Sequence, residues 1–314
     1  MAAAGAVAGS RVSTRRRELR ERAQGLLMVL PPVGVIAVFV GFPVGAAIAY
    51  TLGKTGGPNS VVSLIAQRQH VARHGVTLGA YREMLSNPTV RSDLWATVWI
   101  TLVSVAVVVA VSWAIALYLR LSNTWLARVV SGLSVVPLFI PVVIASYSIF
   151  VFYGPDGLLR TISFRLGFHG FPSLGYTLTC VLLGEIWVNI PFGVLMMSSG
   201  LNGVPDALIE AGRDAGASMP RVVRSILWPM NVIPTVIVAT FTGIYVLGSF
   251  TVPYLTGPTQ PNLLGPTASN FFSSFNQPQQ AEVLAMIVFV LAIGIGTVYV
   301  WANVRASKQA GTVT

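Results

Sequence analysis

The chain has 314 residues, of which 54% are hydrophobic and only 10% charged, and its mean hydropathy is +0.72. A soluble domain of this size needs far more charge to stay dispersed, so the composition excludes that class and indicates a polytopic membrane protein. The formal charge of +10 does not indicate nucleic acid as a partner, because the basic residues are scattered through short loops and a tail without aromatic interleaving. The single cysteine, Cys180, excludes an intrachain disulfide and is interpreted as a small packing residue.

The first apolar run, at about 26–52, follows an arginine-rich segment. A signal peptide is one interpretation of this pattern. The run is about twice as long as a signal core and no small-residue cleavage site closes it, so a retained membrane span is favoured. Residues 1–23 are then predicted to form a partly disordered, basic cytosolic arm.

Five further apolar runs are each long enough to cross about 30 Å of hydrocarbon. They lie at about 94–119, 127–153, 175–199, 231–255 and 282–303. The sequence therefore predicts an all-α polytopic membrane fold with six transmembrane helices and both termini on one side. Prolines within the runs leave carbonyls that neighbouring helices or a wet cavity must satisfy, which indicates a bundle with an interior. These prolines are Pro31, Pro32, Pro43, Pro137, Pro141, Pro191, Pro234 and Pro253.

Basic residues are divided unevenly between the two sides of this arrangement. Thirteen lie on the side of the N-terminus: Arg11, Arg15, Arg16, Arg17, Arg20, Arg22, Arg120, Arg128, Arg213, Arg221, Arg224, Arg305 and Lys308. Seven lie opposite: Lys54, Arg68, Arg73, Arg82, Arg91, Arg160 and Arg165. Because positive charge is retained in the cytosol, this bias predicts that both termini and the loop at about 200–230 are cytosolic.

Three segments fall on the outer side, at about 54–93, 154–174 and 256–281. Within the first, Leu78 to Leu85 predicts a short interfacial helix. The third is rich in Pro, Gly, Asn and Gln, which predicts an ordered turn region rather than a helix. These segments are candidates for receiving a soluble donor protein, although the second is equally well interpreted as a simple connector.

A charged segment at about 205–229 separates two apolar runs. Pro205 can occupy the first turn of a helix, and Asp206 and Glu210 place negative charge near its positive end. Gly216 allows a turn with positive φ, and Ser218 can cap a second helix. Apolar contacts would come from Leu208, Ile209, Ala211, Val222, Val223, Ile226 and Leu227. The pattern predicts a helix, a tight turn and a second helix that project from the membrane.

This segment resembles the EAA loop of the membrane permeases of binding-protein-dependent ABC importers, whose pattern is matched by Glu210, Ala211, Gly216, Ala217, Ile226 and Pro229. Gly212 replaces the second alanine of the motif, and Trp228 stands where leucine commonly precedes the proline. Glycine at 212 should cost the helix about 0.5–1 kcal/mol relative to alanine, too little to argue against docking. The resemblance extends from about 90 to 304 and includes the spacing of Trp187 and Pro191.

The resemblance implies a MetI-like permease core with a short coupling helix that fits a groove on a separate ATPase subunit. The residues it assigns to ATPase coupling are Asp206, Glu210, Ala211, Arg213, Asp214, Gly216 and Ala217. It divides the chain into the arm at 1–23, a permease domain at 24–304 whose coupling loop spans about 202–228, and a cytosolic tail at 305–314.

The resemblance also implies an assembly in a bacterial inner membrane. The expected partners are two ATPase subunits, a second homologous permease, an extracytoplasmic solute-binding protein and the lipid bilayer, with no nucleic acid. ATP and Mg are expected on the partner ATPase, so this chain would carry no cofactor and no catalytic residue. Closure of the ATPase dimer would rock the two permeases between inward-open and outward-open states.

Two weaker patterns are set aside. Gly53-Lys54-Thr55 echoes the end of a phosphate-binding loop, but Ile48 stands where that loop requires glycine. His70, His74 and His169 lie in outer loops without a cysteine or carboxylate cluster, so solvated loop residues are favoured over a metal site.

Glu185 is the one carboxylate deep within a predicted span, where it must face the bundle interior, a subunit interface or water. It could attract a cationic substrate, but a structural hydrogen-bonding role near Trp187 and Asn189 is favoured. Further polar candidates for a substrate pathway are Tyr147, Tyr153, Asn189, Tyr245 and Ser249, each also compatible with interhelical packing.

The segment Gly248–Gly257 is similar to the corresponding part of polyamine-type permeases, whose relatives include carriers of iron, thiosulfate and aminoethylphosphonate, and resembles sugar-type permeases less. The resemblance thus implies import of a small polar, polyamine-like solute by alternating access. The alternatives are a gradient-driven secondary transporter, for which Glu185 would supply ion coupling, and a membrane scaffold without transport.

Overall fold

A computed structural model describes residues 24–170 and 172–311, with side chains described as far as Arg305. The arm predicted at 1–23 lies outside the described residues. Within the described ranges the chain is helical and contains no strand, which confirms the all-α prediction.

The helices before the charged loop begin with a long apolar one and include short segments between the long ones. They are α1 (Gln24–Thr51), α2 (Ser60–Ile65), α3 (Gly79–Ser86), α4 (Pro88–Leu121), α5 (Trp125–Val135), α6 (Val142–Tyr153), α7 (Leu158–Arg165) and α8 (Leu178–Asn202). The short helix predicted from Leu78 to Leu85 is therefore present as α3.

The helices from the charged loop onward are α9 (Asp206–Asp214), α10 (Met219–Met230), α11 (Val232–Leu247), α12 (Thr251–Thr256), α13 (Leu264–Ser273) and α14 (Pro278–Gly311). Five units in the described ranges are long and apolar enough to cross a membrane: α1, α4, α6 with α7, α8 and α14. The pair α10 and α11, bent by 66°, makes a sixth span if it is counted as one. The predicted number of six is reached in that way.

Two predicted spans are each divided into separate helices, in runs where the sequence analysis placed prolines. The run at 127–153 breaks between α5 and α6, where Ile140 is extended (φ −98°, ψ 119°) because the residue before a proline avoids the helical region. The run at 231–255 breaks at Gly248–Phe250, between α11 and α12. By contrast, α8 continues through Pro191.

The third outer segment contains a helix, α13, so the prediction of turns alone was wrong. Pro266 lies in the first turn of α13, where a backbone N–H has no intrahelical partner to lose. Asp93 of α4 holds this segment in place: its Oδ1 accepts from the Asn262 N–H at 2.9 Å and its Oδ2 from the Thr267 hydroxyl at 2.7 Å. Anchoring from a distant helix is the reason that the local composition misled the prediction.

The centre of the bundle is the packing of α4 along α8, with α11 against both. Its core extends to the charged loop, since Val108, Met197, Leu201, Ile209 and Leu227 belong to one buried cluster. Helices approach closely at Gly200, where an added Cβ would lie 1.8 Å from Asn231 Oδ1. The charged loop is thus packed onto the ends of the spans rather than separate from them.

Candidate functional site

Helix α9 presents a charged, exposed surface at one end of the bundle. Six of the seven residues predicted for coupling are exposed and Ala217 is half-buried. Within α9 only Ile209 is buried. Glu210, Arg213 and Asp214 form no ion pair among the described residues, so their charges are free for another molecule.

The ends of α9 complement its dipole. Asp206 lies in the first turn and Arg213 in the last, which favours the helix. Pro205 precedes α9 at the N-cap position, with φ −61° and ψ 136°, and does not occupy the first turn as predicted. Its fixed φ suits an extended residue before a helix as well as one inside it.

A glycine-dependent turn closes α9. Gly216 has φ +81°, its N–H donates to the Arg213 carbonyl at 2.8 Å, and the Ala217 N–H donates to the Gly212 carbonyl at 3.0 Å. This pair of bonds is a Schellman motif, in which the residue after the C-cap must be left-handed. The left-handed φ explains why glycine is favoured at position 216.

Helix α10 carries the turn back to the membrane spans. Ser218 is at its N-cap position, but its side chain makes no capping hydrogen bond, so that part of the prediction was wrong. Trp228 stacks on Trp113 of α4, with ring centroids 4.9 Å apart, and Trp113 Nε1 donates to the Thr235 hydroxyl of α11 at 2.9 Å. The tryptophan in place of the family's leucine is therefore part of a contact between three helices.

Arg120, at the end of α4, was missed as a site residue by the sequence analysis, which used it only for charge bias. Its Nε donates to the Leu201 carbonyl at 3.1 Å, and its Nη2 donates to the Val204 carbonyl at 3.0 Å and to the Asp206 carboxylate. A basic residue in the last turn of a helix was the one available signal, and it did not identify these acceptors.

A cavity of about 480 Å³ lies between α6, α8, α11 and the turn after α5. Of the predicted pathway residues, Asn189 and Tyr245 line it. Its other walls are uncharged: Pro137, Leu138, Ile140, Val142, Trp187, Val188, Phe192, Phe241 and Ile244. Four predicted pathway residues do not line it: Tyr147, 62% exposed on α6, Tyr153 at the end of α6, and the buried Glu185 and Ser249.

Glu185 is completely buried in α8. Neither carboxyl oxygen has a hydrogen bond of normal geometry within the described part of the chain, although Tyr245 and Ser249 lie close by. Asn189 Nδ2 donates to the backbone carbonyl of Glu185 at 2.8 Å rather than to its carboxyl. The hydrogen bond expected between Glu185 and Asn189 therefore uses the main-chain carbonyl of Glu185 and not its carboxyl group.

One of the three loop histidines, His70, is bonded to neighbouring side chains. His70 Nε2 is 2.7 Å from Glu83 Oε2, and Glu83 also pairs with Arg68 at 3.1 Å. His70 is therefore half-buried and bonded, not a solvated loop residue as predicted. The described residues contain no group of three or more His, Cys, Asp or Glu side chains placed to hold a metal ion.

The family model described as "Binding-protein-dependent transport system inner membrane component" matches residues 106–306. The chain belongs to this family. It is an ABC importer permease, a transport component of the inner membrane and not an enzyme. The matched region contains α9, its glycine turn and the whole cavity lining, so the site described above lies within the region that defines the family.

Three permease proteins of known transport systems align with most or nearly all of this chain. A sulfoquinovosyl glycerol transport system permease protein, SmoG, from Agrobacterium fabrum is 26% identical and covers 91% of this chain and 92% of its own length. A trehalose/maltose permease protein, MalF, from Thermococcus litoralis is 26% identical over 91% and 95%. A spermidine/putrescine permease protein, PotB, from Haemophilus influenzae is 23% identical over 74% and 80%.

Solved structures share the fold. A chain of a bacterial ABC transporter that imports the acidic polysaccharide alginate has a TM-score of 0.71 at 13% identity, over 94% of this chain and 99% of that one. A chain of the alginate transporter in complex with alginate pentasaccharide-bound periplasmic protein has a TM-score of 0.67 at 13% identity, over 90% and 94%.

Proposed function

We propose that α9 is the coupling helix through which this permease receives ATP-driven movement from a separate ATPase subunit. The observation that carries the proposal is the exposed surface of Glu210, Arg213 and Asp214, which is unpaired within the described residues yet held on a rigid turn. A surface that is charged but fixed in direction suits recognition by a partner.

We infer an assembly of two ATPase subunits, a second homologous permease and an extracytoplasmic binding protein, with ATP and Mg on the ATPase. The family's description and the alginate transporter bound to its periplasmic protein support this set of partners. The charge bias of the sequence supports cytosolic termini and a cytosolic α9. On this orientation, α3 and α13 lie at the outer end, where a binding protein would deliver solute.

We infer that this permease carries a small polar solute, and that the solute pathway passes through the cavity beside Asn189 and Tyr245. The lining has aromatic side chains and no charged one, a composition that favours a neutral, polyhydroxylated solute such as a sugar. SmoG and MalF, named for sugar-type solutes, support this class.

A polyamine-like solute or aminoethylphosphonate is the second candidate. It rests on the segment Gly248–Gly257 and on Glu185, whose unpartnered carboxyl is one helical turn from Asn189 and could attract a cation. The relative PotB supports this class. Uptake of radiolabelled trehalose and of radiolabelled spermidine distinguishes the two candidate solute classes. If the solute is a polyamine, Glu185→Gln should reduce the uptake of spermidine and leave that of trehalose unchanged.

The coupling role is tested by Glu210→Lys in the complete transporter. We expect it to abolish ATP-driven uptake while membrane insertion stays intact, because it reverses a charge on the docking surface. Asp156→Lys reverses an exposed carboxylate in the loop between α6 and α7 and is the matched control. Full uptake in Glu210→Lys, or equal loss in both variants, would contradict the proposal.

A further inference from the structure

The three acceptors of Arg120 belong to three different parts of the chain. The Leu201 carbonyl is in the last turn of α8, the Val204 carbonyl is in the connector, and the Asp206 carboxylate begins α9. The Arg120 side chain is 16% exposed and that of Asp206 is 73% exposed. One guanidinium therefore joins the ends of two spans to the start of the coupling helix.

The chemistry of this contact suits arginine in particular. The last carbonyls of a helix have no intrahelical donors, and a cation near them is favoured by the helix dipole. The planar guanidinium has five N–H donors in a fixed fork, so it can satisfy two carbonyls and a carboxylate together. Lysine at 120 would keep the charge but replace the fork with a single ammonium.

The connection that Arg120 spans is short, and its middle residue, Val204, is buried in the same core cluster as Leu201 and Ile209. Only Gly203, Val204 and Pro205 separate α8 from α9, and within α9 itself only Ile209 is buried. The far end of α9 is fixed by the Gly216 turn and by α10, whose Trp228 stacks on Trp113 of α4. Helix α4 thus contacts both sides of this unit, through Arg120 at the start of α9 and through Trp113 on α10.

We propose that Arg120 is a positioning residue for energy coupling: it makes α4, α8 and the start of α9 move as one body. A displacement of α9 is then transmitted to two membrane spans at once, and is not absorbed by a change of conformation in the three-residue connector. The proposal rests on the proposed function of α9, since it assigns a residue to the transmission of that helix's movement.

The first test measures the orientation of α9 in the full chain and needs no ATPase or solute. Nitroxides are placed at Leu102→Cys on α4 and Leu208→Cys on α9, both exposed, after the single native cysteine is removed by Cys180→Ala. The α4 label lies about 27 Å along the helix axis from Arg120, which suits pulsed EPR. Arg120→Lys is compared with Arg128→Lys, because the Arg128 side chain makes no hydrogen bond or ion pair within the described residues.

We expect a narrow distance distribution in the parent chain and in Arg128→Lys, and a distribution at least about twice as wide in Arg120→Lys. Asp206→Asn should fall between them, because the two carbonyl bonds remain. An unchanged width in Arg120→Lys overturns the proposal. If Arg120→Lys does not insert into the membrane, Asp206→Asn decides, and a distance distribution as narrow as that of the parent chain contradicts the proposal.

The second test uses the reconstituted complex with trehalose and spermidine as probes. Arg120→Lys should lower the solute imported per ATP hydrolysed by roughly fivefold, the effect of about 1 kcal/mol, while ATP hydrolysis continues. A loss of uptake in proportion to ATP hydrolysis would show a merely structural role and overturn the proposal. Absence of ATP-dependent uptake in the wild-type complex would instead contradict the proposed function, and the EPR distance distributions would still test the positioning role of Arg120.

Discussion

Gly216 offers a perturbation whose effect can be worked out from one backbone angle. Its φ of +81° lies in the left-handed region, and an added Cβ would meet no atom within 4 Å. Substitution is therefore strained by conformation and not by contact. An L-residue in this region costs roughly 1–2 kcal/mol, whereas asparagine tolerates it better and β-branched residues tolerate it least.

The expected order of ATP-driven uptake is glycine, then asparagine, then alanine, then valine at position 216. A cost of about 1–2 kcal/mol lowers the population of the native turn roughly 5- to 30-fold relative to its alternatives, so Gly216→Ala should reduce uptake severely and Gly216→Val should abolish it. Asparagine is larger than alanine, so an order governed by size would be different.

Uptake of trehalose and spermidine is measured at equal abundance of each variant in the membrane, with Gly34→Ala as the control. Gly34 lies in α1, where an added Cβ has no neighbour within 4 Å and φ is not left-handed. Alanine performing as well as asparagine at 216, or valine supporting full uptake, would refute the role given to the Schellman turn.

Four other changes test the packing around the site. Gly212→Ala should raise the stability of α9 by about 0.5–1 kcal/mol with uptake retained, since its Cβ would meet the movable Ile226 Cδ1 methyl at 3.1 Å and Val222 Cγ2 at an ordinary 3.5 Å; loss of uptake at normal expression would contradict this. Gly200→Ala should lower yield and Tm sharply because its Cβ would overlap Asn231, and a Tm equal to that of the parent would show that α8 and α11 are not so close. Trp228→Ala should lower the stability by at least the stacking contribution of about 0.5–1.5 kcal/mol, measured as a lower Tm in detergent. A Tm equal to that of the parent would show that the stack with Trp113 is absent. Glu185→Gln should raise Tm, because a buried carboxyl without a partner is costly in a membrane, and a lowered Tm would indicate a partner for the carboxyl.

The fold was predictable where the signal was a long apolar run or a local backbone rule. The lengths of α1, α4, α8 and α14 follow from such runs, and the Gly216 turn follows from glycine's freedom at positive φ. The breaks after α5 and α11 were missed because hydropathy does not distinguish a continuous helix from two short ones.

The missed parts of the site depend on contacts between distant residues. Arg120 finds its acceptors 81 or more positions later in the chain, and Asp93 stabilises the segment before α13 from 169 positions away. Neither contact leaves a periodic or local pattern in the sequence. The pathway was predicted only in part, because Asn189 and Tyr245 line the cavity while Glu185, one helical turn before Asn189 on α8, is buried and does not.

The central claim, that α9 docks on a separate ATPase, is tested most directly by photo-crosslinking in native membranes. A benzophenone amino acid is placed at Glu210, exposed on α9, and at Leu64, which is 84% exposed on α2 at the other end of the bundle. Mass spectrometry then identifies the captured chain. The account predicts that position 210 captures a subunit with a phosphate-binding loop and that position 64 does not. Capture of that subunit only at position 64, or at neither position while the transporter is active, would contradict it.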